Sequence, residues 1–159
     1  WFDITRCFLK GQKVKRVFAS TARTQTQRIM PALLGQALIE FDDAQASLAF
    51  DADTNFGKQD RTYIAGSQSS VLSVGPTEKD QKLTLMTPTG HWQPDLVGSW
   101  FPDGFHGTMG ELLLSIEENR APSIDAADNL NSLALCFAAV ASAARNEALV
   151  PGSVRKLPE

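Results

Sequence analysis

Cysteine and histidine each occur only twice in these 159 residues, which removes most metal and thiol chemistry at the outset. Cys7 and Cys136 both sit in apolar stretches with helical spacing, so they read as buried free thiols in a reducing, cytoplasmic setting rather than as a disulfide. His91 and His106 stand in unrelated contexts and form no metal motif. A basic excess is missing too: 15 Lys and Arg against 18 Asp and Glu leave a formal charge of -3. Nucleic acid or an anionic membrane surface would need a clustered basic face. The densest basic group, Lys13, Lys15 and Arg16, alternates along a strand instead. No apolar run is long enough to span a membrane, and no secretory leader is recognisable.

Local catalytic motifs are equally scarce. The segment Gly66-Ser67-Gln68-Ser69-Ser70 lacks the repeated glycines and following helix of a phosphate loop. There is neither a serine nucleophile elbow nor a cysteine with a neighbouring base. The pairs Asp42 and Asp43, and Asp51 and Asp53, fall on a hairpin and its end, where carboxylates serve turn chemistry.

What the chain does have is a well-marked stretch from Gly98 to Pro122, in which an aromatic turn runs into an amphipathic helix. Phe105, Met109, Leu112, Leu113 and Ile116 recur as one stripe of a 3.6-residue period, predicting a face turned to a core. Asp103 is placed to accept from the open N–H groups of the first turn. Asn119, Arg120 and Pro122 close the helix. Trp100, Phe101, Asp103 and His106 therefore gather at a helix start, where they could line a polar ligand pocket. The same residues also suit a capped, aromatic-anchored turn with a solvated histidine.

The segments before it read mainly as strands: Gln12–Ser20, Gly35–Phe41, Gln45–Asp51, Arg61–Ala65, Ser70–Val74 and Lys82–Met86. Asp42-Asp43-Ala44 makes a hairpin turn, and Gly75–Asp80 another. Residues 87–97, broken by Pro88, Gly90 and Pro94, read as irregular, with His91 in a loop. Connections this short require antiparallel neighbours. Apolar residues on both sides of the strands predict an open-faced α+β fold, with helices on one sheet face and the other free for a homodimer. The connection Thr21–Arg28 carries Arg23 and reads either as ligand-facing or as merely solvated.

Two more helices flank the strands. Trp1–Leu9 places Trp1, Ile4 or Thr5, and Phe8 on one side, pairs Asp3 with Arg6, and stops at Gly11. The chain opens on Trp1 within what reads as the middle of that helix, so it is expected to be a fragment. The last helix follows Asp125 and Asp128, and its stripe of Leu130, Leu133, Phe137, Ala141 and Ala144, widened by Cys136, Ala139 and Val140, predicts a nearly engulfed helix. It is expected to run on to Pro151-Gly152, with an extended tail from Val150 to Glu159.

In combination, WFDITRCFLKGQKVKRVFA at the start, GQALIEFDDAQASLAF, RTYIAGSQSSVLSV, WFPDGFHGTMGELLLSIEENRAP and DAADNLNSLALCFAAVASAARNEALV resemble the C-terminal domain of the glucose-fructose oxidoreductase, inositol dehydrogenase and rhizopine-catabolism (Gfo/Idh/MocA) family. The resemblance covers essentially all of residues 1–159. It implies a single substrate-binding and oligomerisation domain, preceded in the family by a Rossmann domain that binds NAD or NADP. It further implies hydride transfer between nicotinamide and a carbon of a sugar, polyol or related hydroxy compound. The family's His-x-x-Asp pattern, with an arginine three residues on, aligns with Asp3 and Arg6 as supporting residues and puts the general-base histidine immediately before Trp1. An imidazole of ordinary pKa, about 6.5, suits that proton transfer. The residues expected to line the substrate side, from the aromatic turn itself, are Trp100 and Phe101 as walls with Asp103 and His106 as polar contacts, and Arg23 in addition. No cofactor or metal is expected to be held by these residues, and alone the chain should neither bind dinucleotide nor catalyse. One departure is plain: the family's Gly-Thr-x-Gly turn is Gly66-Ser67-Gln68-Ser69 here. The family also includes regulators that kept the fold, so a non-enzymatic dimerisation or binding module is the competing expectation.

Overall fold

A computed structural model describes residues 1–77, 80–123 and 125–156. The chain divides into two compact units, Trp1–Asp53 with Ile124–Glu159, and Thr54–Ser123.

In the first unit, strands β1 (Val14–Ala22), β2 (Leu34–Phe41) and β3 (Gln45–Asp51) form an antiparallel sheet in that order. The register opposes Val17 to Ile39 and Ala19 to Ala37. Period-2 alternation therefore sends Val17, Ala19, Ala37, Ile39 and Phe41 to one face, where all are buried. Against them lie Leu135, Ala138 and Ala139 of α3 (Ala126–Arg145). The small alanines let helix and sheet approach closely. Ser142, fully buried on the same helix, accepts the Ala19 N–H at 2.9 Å and donates to the Glu147 carbonyl at 2.5 Å, so it brings no unpaired polar atom into the core. The opposite sheet face stays open and carries Phe18 and Leu38, both exposed. The short helix α1 (Phe2–Phe8) lies on α3, with Phe2 and Leu9 packed against the core.

In the second unit, β4 (Asp60–Ala65), β5 (Ser70–Gly75), β6 (Lys82–Thr87) and β7 (Gly90–Trp92) make a four-stranded antiparallel sheet, followed by α2 (Asp103–Glu117). The α+β, open-faced, antiparallel expectation is met, with the strands shared between two sheets. The stretch 87–97 is not wholly irregular, because Gly90 takes φ +149° and turns the chain back so that His91 pairs with Met86. His91 is thus a strand residue.

Several side-chain expectations change. The α2 stripe does not face a core within its own unit: Phe105 is 57% and Ile116 67% exposed, and Ser115 is the one buried residue of the helix. On α3 the buried face is Ser132, Leu135, Ala138, Ala139, Ala141 and Ser142, whereas Leu130, Leu133 and Val140 are exposed. The sheet selects the side on which small alanines and serines flank Leu135, since the small residues allow the close approach. α3 also ends earlier than expected, at Arg145, since Asn146 takes a left-handed cap. Leu149 beyond it exchanges two 2.9 Å backbone hydrogen bonds with Val17. The tail is not simply extended: Ser153 N–H donates to Val150 O at 3.1 Å and Val154 is buried. Cys136 is partly buried, which pushes its thiol pKa up, but Cys7 is exposed; both are free. Glu78 and Lys79 of the Gly75–Asp80 turn, and Leu157–Glu159 of the tail, lie outside the described residues.

Candidate functional site

The aromatic turn before α2 is built by local hydrogen bonds. Gly98, at φ +96°, brings the chain close enough that the Ser99 N–H donates to Asp103 Oδ2 at 2.6 Å. Ser99 Oγ stands 2.9 Å from the same oxygen and 2.8 Å from the Phe101 carbonyl. A side chain at position 98 would meet that carboxylate, its Cβ lying 3.4 Å from Oδ2. Asp103 is the first residue of α2, and its carboxylate does not cap the helix as expected. It accepts from Ser99 instead, and no side chain caps α2. These hydrogen bonds, from the Ser99 side chain and then its backbone, hold the Asp103 carboxyl below the usual range, with a smaller contribution from His106. The peptide between Phe101 and Pro102 is cis.

Trp100, Phe101, Asp103 and His106 are thus brought into one seven-residue span. Phe101 and Phe105 meet edge to face, with ring centroids 5.1 Å apart and planes at 76°. Trp100 and Phe101 are each 64% exposed, so their faces are presented to solvent rather than enclosed. Such a surface offers apolar ring faces beside one carboxylate and one imidazole. Arg23 belongs to the first unit, where its Nη1 donates to the Met30 carbonyl.

A second polar cluster joins α1 to α3. Asp3 and Arg6 do face each other, at 3.9 Å, but Arg6 has closer partners. Its Nη2 lies 2.9 Å from Asp128 Oδ1, its Nη1 donates to Ser132 Oγ at 2.6 Å and, at 3.3 Å, to the Asp128 carbonyl. Ser132 Oγ in turn donates to Asp3 Oδ1. The Arg6 guanidinium holds the Asp128 carboxyl below its usual range. Ser132 and Asp128 were not legible as partners in the sequence; the available signal was a serine recurring among alanines on the face that α3 buries.

On the open face of the first sheet, Arg16, Phe18, Leu38, Glu40, Gln45 and Ser47 border a broad groove of about 730 Å³, with Arg16 Nε 2.5 Å from Glu40 Oε2. Among the described residues no group of three or more His, Cys, Asp or Glu is arranged to hold a metal ion. No helix among them is long and apolar enough to cross a membrane.

These features define an α+β protein of open antiparallel sheets with an aromatic and polar turn leading into a helix. No family profile and no curated protein matches the chain. Solved structures do match in fold. The WlbA dehydrogenase of Bordetella pertussis, solved with NADH and UDP-GlcNAcA, superposes with a TM-score of 0.68 at 20% identity, over 96% of this chain and 42% of its own. The UDP-N-acetylglucosamine 3-dehydrogenase GnnA of Acidithiobacillus ferrooxidans gives 0.69 at 18%, over 92% and 45%. The aldose-aldose oxidoreductase of Caulobacter crescentus, complexed with glycerol, gives 0.72 at 16%, over 92% and 43%. The chain has the fold of part of these oxidoreductases and spans less than half the length of each.

Proposed function

We propose that residues 1–159 are the C-terminal substrate-binding and oligomerisation domain of an NAD(P)-dependent oxidoreductase of the Gfo/Idh/MocA kind, acting on a sugar, polyol or related hydroxy compound. The observation that carries this reading is the fold correspondence over more than nine-tenths of this chain with less than half of several such enzymes. The named matches are a dehydrogenase solved with UDP-GlcNAcA, a UDP-N-acetylglucosamine 3-dehydrogenase and an aldose-aldose oxidoreductase, and the aromatic turn offers the chemistry that sugar-like ligands need. Trp100 and Phe101 provide walls, Asp103 accepts a hydroxyl, and His106 adds a donor or acceptor. Arg23 is a further candidate contact.

Dinucleotide binding belongs outside these residues. Every strand pairing among the described residues is antiparallel, and no strand, glycine turn and helix unit of the nucleotide-cradling type is formed. In this reading the general base is a histidine joined to Trp1, and the open face of the first sheet, with its exposed Phe18 and Leu38, takes a second copy.

The test is kinetic. In the full-length protein, Asp103→Asn and His106→Ala should raise the KM for the hydroxy substrate about tenfold or more, as loss of a hydrogen bond to a bound polar group does, while leaving the KM for nicotinamide unchanged. Unaltered KM and kcat in both variants would remove the turn from the substrate site. A full-length protein that binds nucleotide without turnover would favour the regulatory module instead.

A further inference from the structure

The aromatic turn breaks several local rules in a short span. Asp103 stands in the first turn of α2, where a carboxylate ordinarily turns to the open N–H groups, yet it turns back to Ser99 and the helix keeps no side-chain cap. Gly98 takes φ +96° to allow this, and a Cβ there would lie 3.4 Å from Asp103 Oδ2. Gly104, Gly107 and Gly110 occupy the first turns of α2, each a poorer helix former than alanine. Helix stability is given up at every one of these points, and departures of this kind gather at functional or strained sites.

In place of the cap there is a carboxylate with unequal oxygens. Oδ2 accepts the Ser99 N–H at 2.6 Å and stands 2.9 Å from Ser99 Oγ, whereas Oδ1 takes no hydrogen bond from any other described residue. The Ser99 hydroxyl, with its one proton, lies also 2.8 Å from the Phe101 carbonyl. One small side chain therefore touches both the acceptor and the peptide that carries a ring wall. Phe105 steadies that ring from the helix side, edge to face at 5.1 Å. Gly107, four residues on from Asp103 and hence on the same helix face, adds no side chain beside the carboxylate, and among the described residues nothing packs where one would start. His106, three on, supplies the polar neighbour.

We propose that Ser99 is a positioning residue of the candidate substrate site: by holding Asp103 Oδ2 and the Phe101 carbonyl together, it sets Asp103 Oδ1 as the oxygen that accepts a substrate hydroxyl at the aromatic turn. This rests on the reading of that turn as the substrate side. Asp103 is exposed, and an exposed carboxylate without such a hold is ordered only when the ligand arrives, which weakens binding. A group fixed beforehand avoids that loss. Both donors of Ser99 are spent on Asp103 and Phe101, so the serine acts on binding through its neighbours.

The experiment uses the full-length protein with NAD+ or NADP+ and, as probes, glucose, myo-inositol and UDP-N-acetylglucosamine. Ser99 is exposed, so folding is not at stake in Ser99→Ala. That variant keeps the N–H and loses the hydroxyl; it should raise the KM of a probe that is turned over at least about threefold, with the nicotinamide KM unchanged. On an Asp103→Ala background the same change should add less than about twofold, because residues acting as one unit are not additive. Carboxyl NMR of isotope-labelled aspartate, with the Asp103 signal assigned by its absence from Asp103→Ala, should show the group titrating at higher pH in Ser99→Ala, since a hydrogen bond that favours its charged form is gone. A smaller rise in KM, equal effects on the two backgrounds or an unmoved Asp103 titration would overturn the positioning role, and a raised KM in Asp103→Ala would then leave the substrate-site reading intact. An unchanged KM in Asp103→Ala, or a wild type that turns over none of the probes, would overturn that reading and the positioning role with it.

Discussion

The two units of this chain solve the burial problem to different degrees. In the first, a three-stranded sheet closes on α3, and all ten buried hydrophobic residues of the described chain lie there, from Val17 to Val154. In the second, every residue of β5 but Gly75 is only partly buried, and α2 exposes Phe105, Met109, Leu112, Leu113, Leu114 and Ile116. One unit has a core of its own. The other presents apolar surface on a scale that soluble monomers seldom leave to water. The difference teaches that amphipathic periodicity identifies an apolar face but not what that face meets. α2 and α3 carry comparable stripes, and both units hold a sheet, but only α3 closes one side on the sheet of its own unit.

Three measurements would sharpen or break this contrast. The largest effect belongs to the first core: Phe41→Ala should cost about 3–5 kcal/mol in urea unfolding, because the ring is 2% exposed and its removal leaves a cavity. A loss below about 1 kcal/mol would mean that the sheet and α3 do not form the stable unit described. Ile116→Ser should by contrast change stability by no more than about 0.5 kcal/mol, as substitutions in water-exposed positions do. A penalty above about 2 kcal/mol would show that the α2 stripe is covered in solution, and the contrast between the units would collapse.

The smallest effect concerns the end of α2. Asn119, at φ +50°, and the hydrogen bonds Arg120 N–H to Ser115 O and Asn119 N–H to Ile116 O form a Schellman stop. There Glu111 accepts the Arg120 guanidinium through both oxygens, at 2.8 and 3.0 Å, and the Ser123 N–H at 2.7 Å. The Arg120 hydrogen bond, followed by that from Ser123, lowers the Glu111 carboxyl from 4.5 to about 2. A depressed folded-state value means that the unfolded chain takes up the proton first. The stabilisation is therefore complete above about pH 4.5 and is lost as the pH falls towards 2. Acid titration of helicity should show this loss in the wild type and a flatter curve in Glu111→Gln; identical curves would mean that the staple contributes nothing measurable.

Much of the fold was legible because it rests on local rules. The hairpin around Asp42-Asp43, the Asp125 cap accepting from Asp128 N–H at 2.6 Å, and the stop after Glu117 follow from turn and cap chemistry within a few residues. The aromatic turn was legible as a cluster for the same reason. The role of Asp103 within it was not, because a first-turn carboxylate can turn forward to the helix or back to Ser99, and the choice depends on the left-handed Gly98. His91 was missed as a strand residue because Gly90 and Pro94 mark a break without saying how tight the return is.

By itself the sequence determined which residues are apolar at helical or strand period and roughly where most of the elements lie. These properties depend on neighbours a few positions apart. Only the tertiary structure decided that α3 buries Leu135 with its serines and central alanines rather than Leu130 and Leu133, that the strands form two sheets, and that Arg6 answers to Asp128 and Ser132 more closely than to Asp3. The Arg6 contacts and the Ala19–Ser142 hydrogen bond join residues more than a hundred positions apart, where close approach, shape and hydrogen-bond satisfaction select among faces that periodicity leaves equivalent.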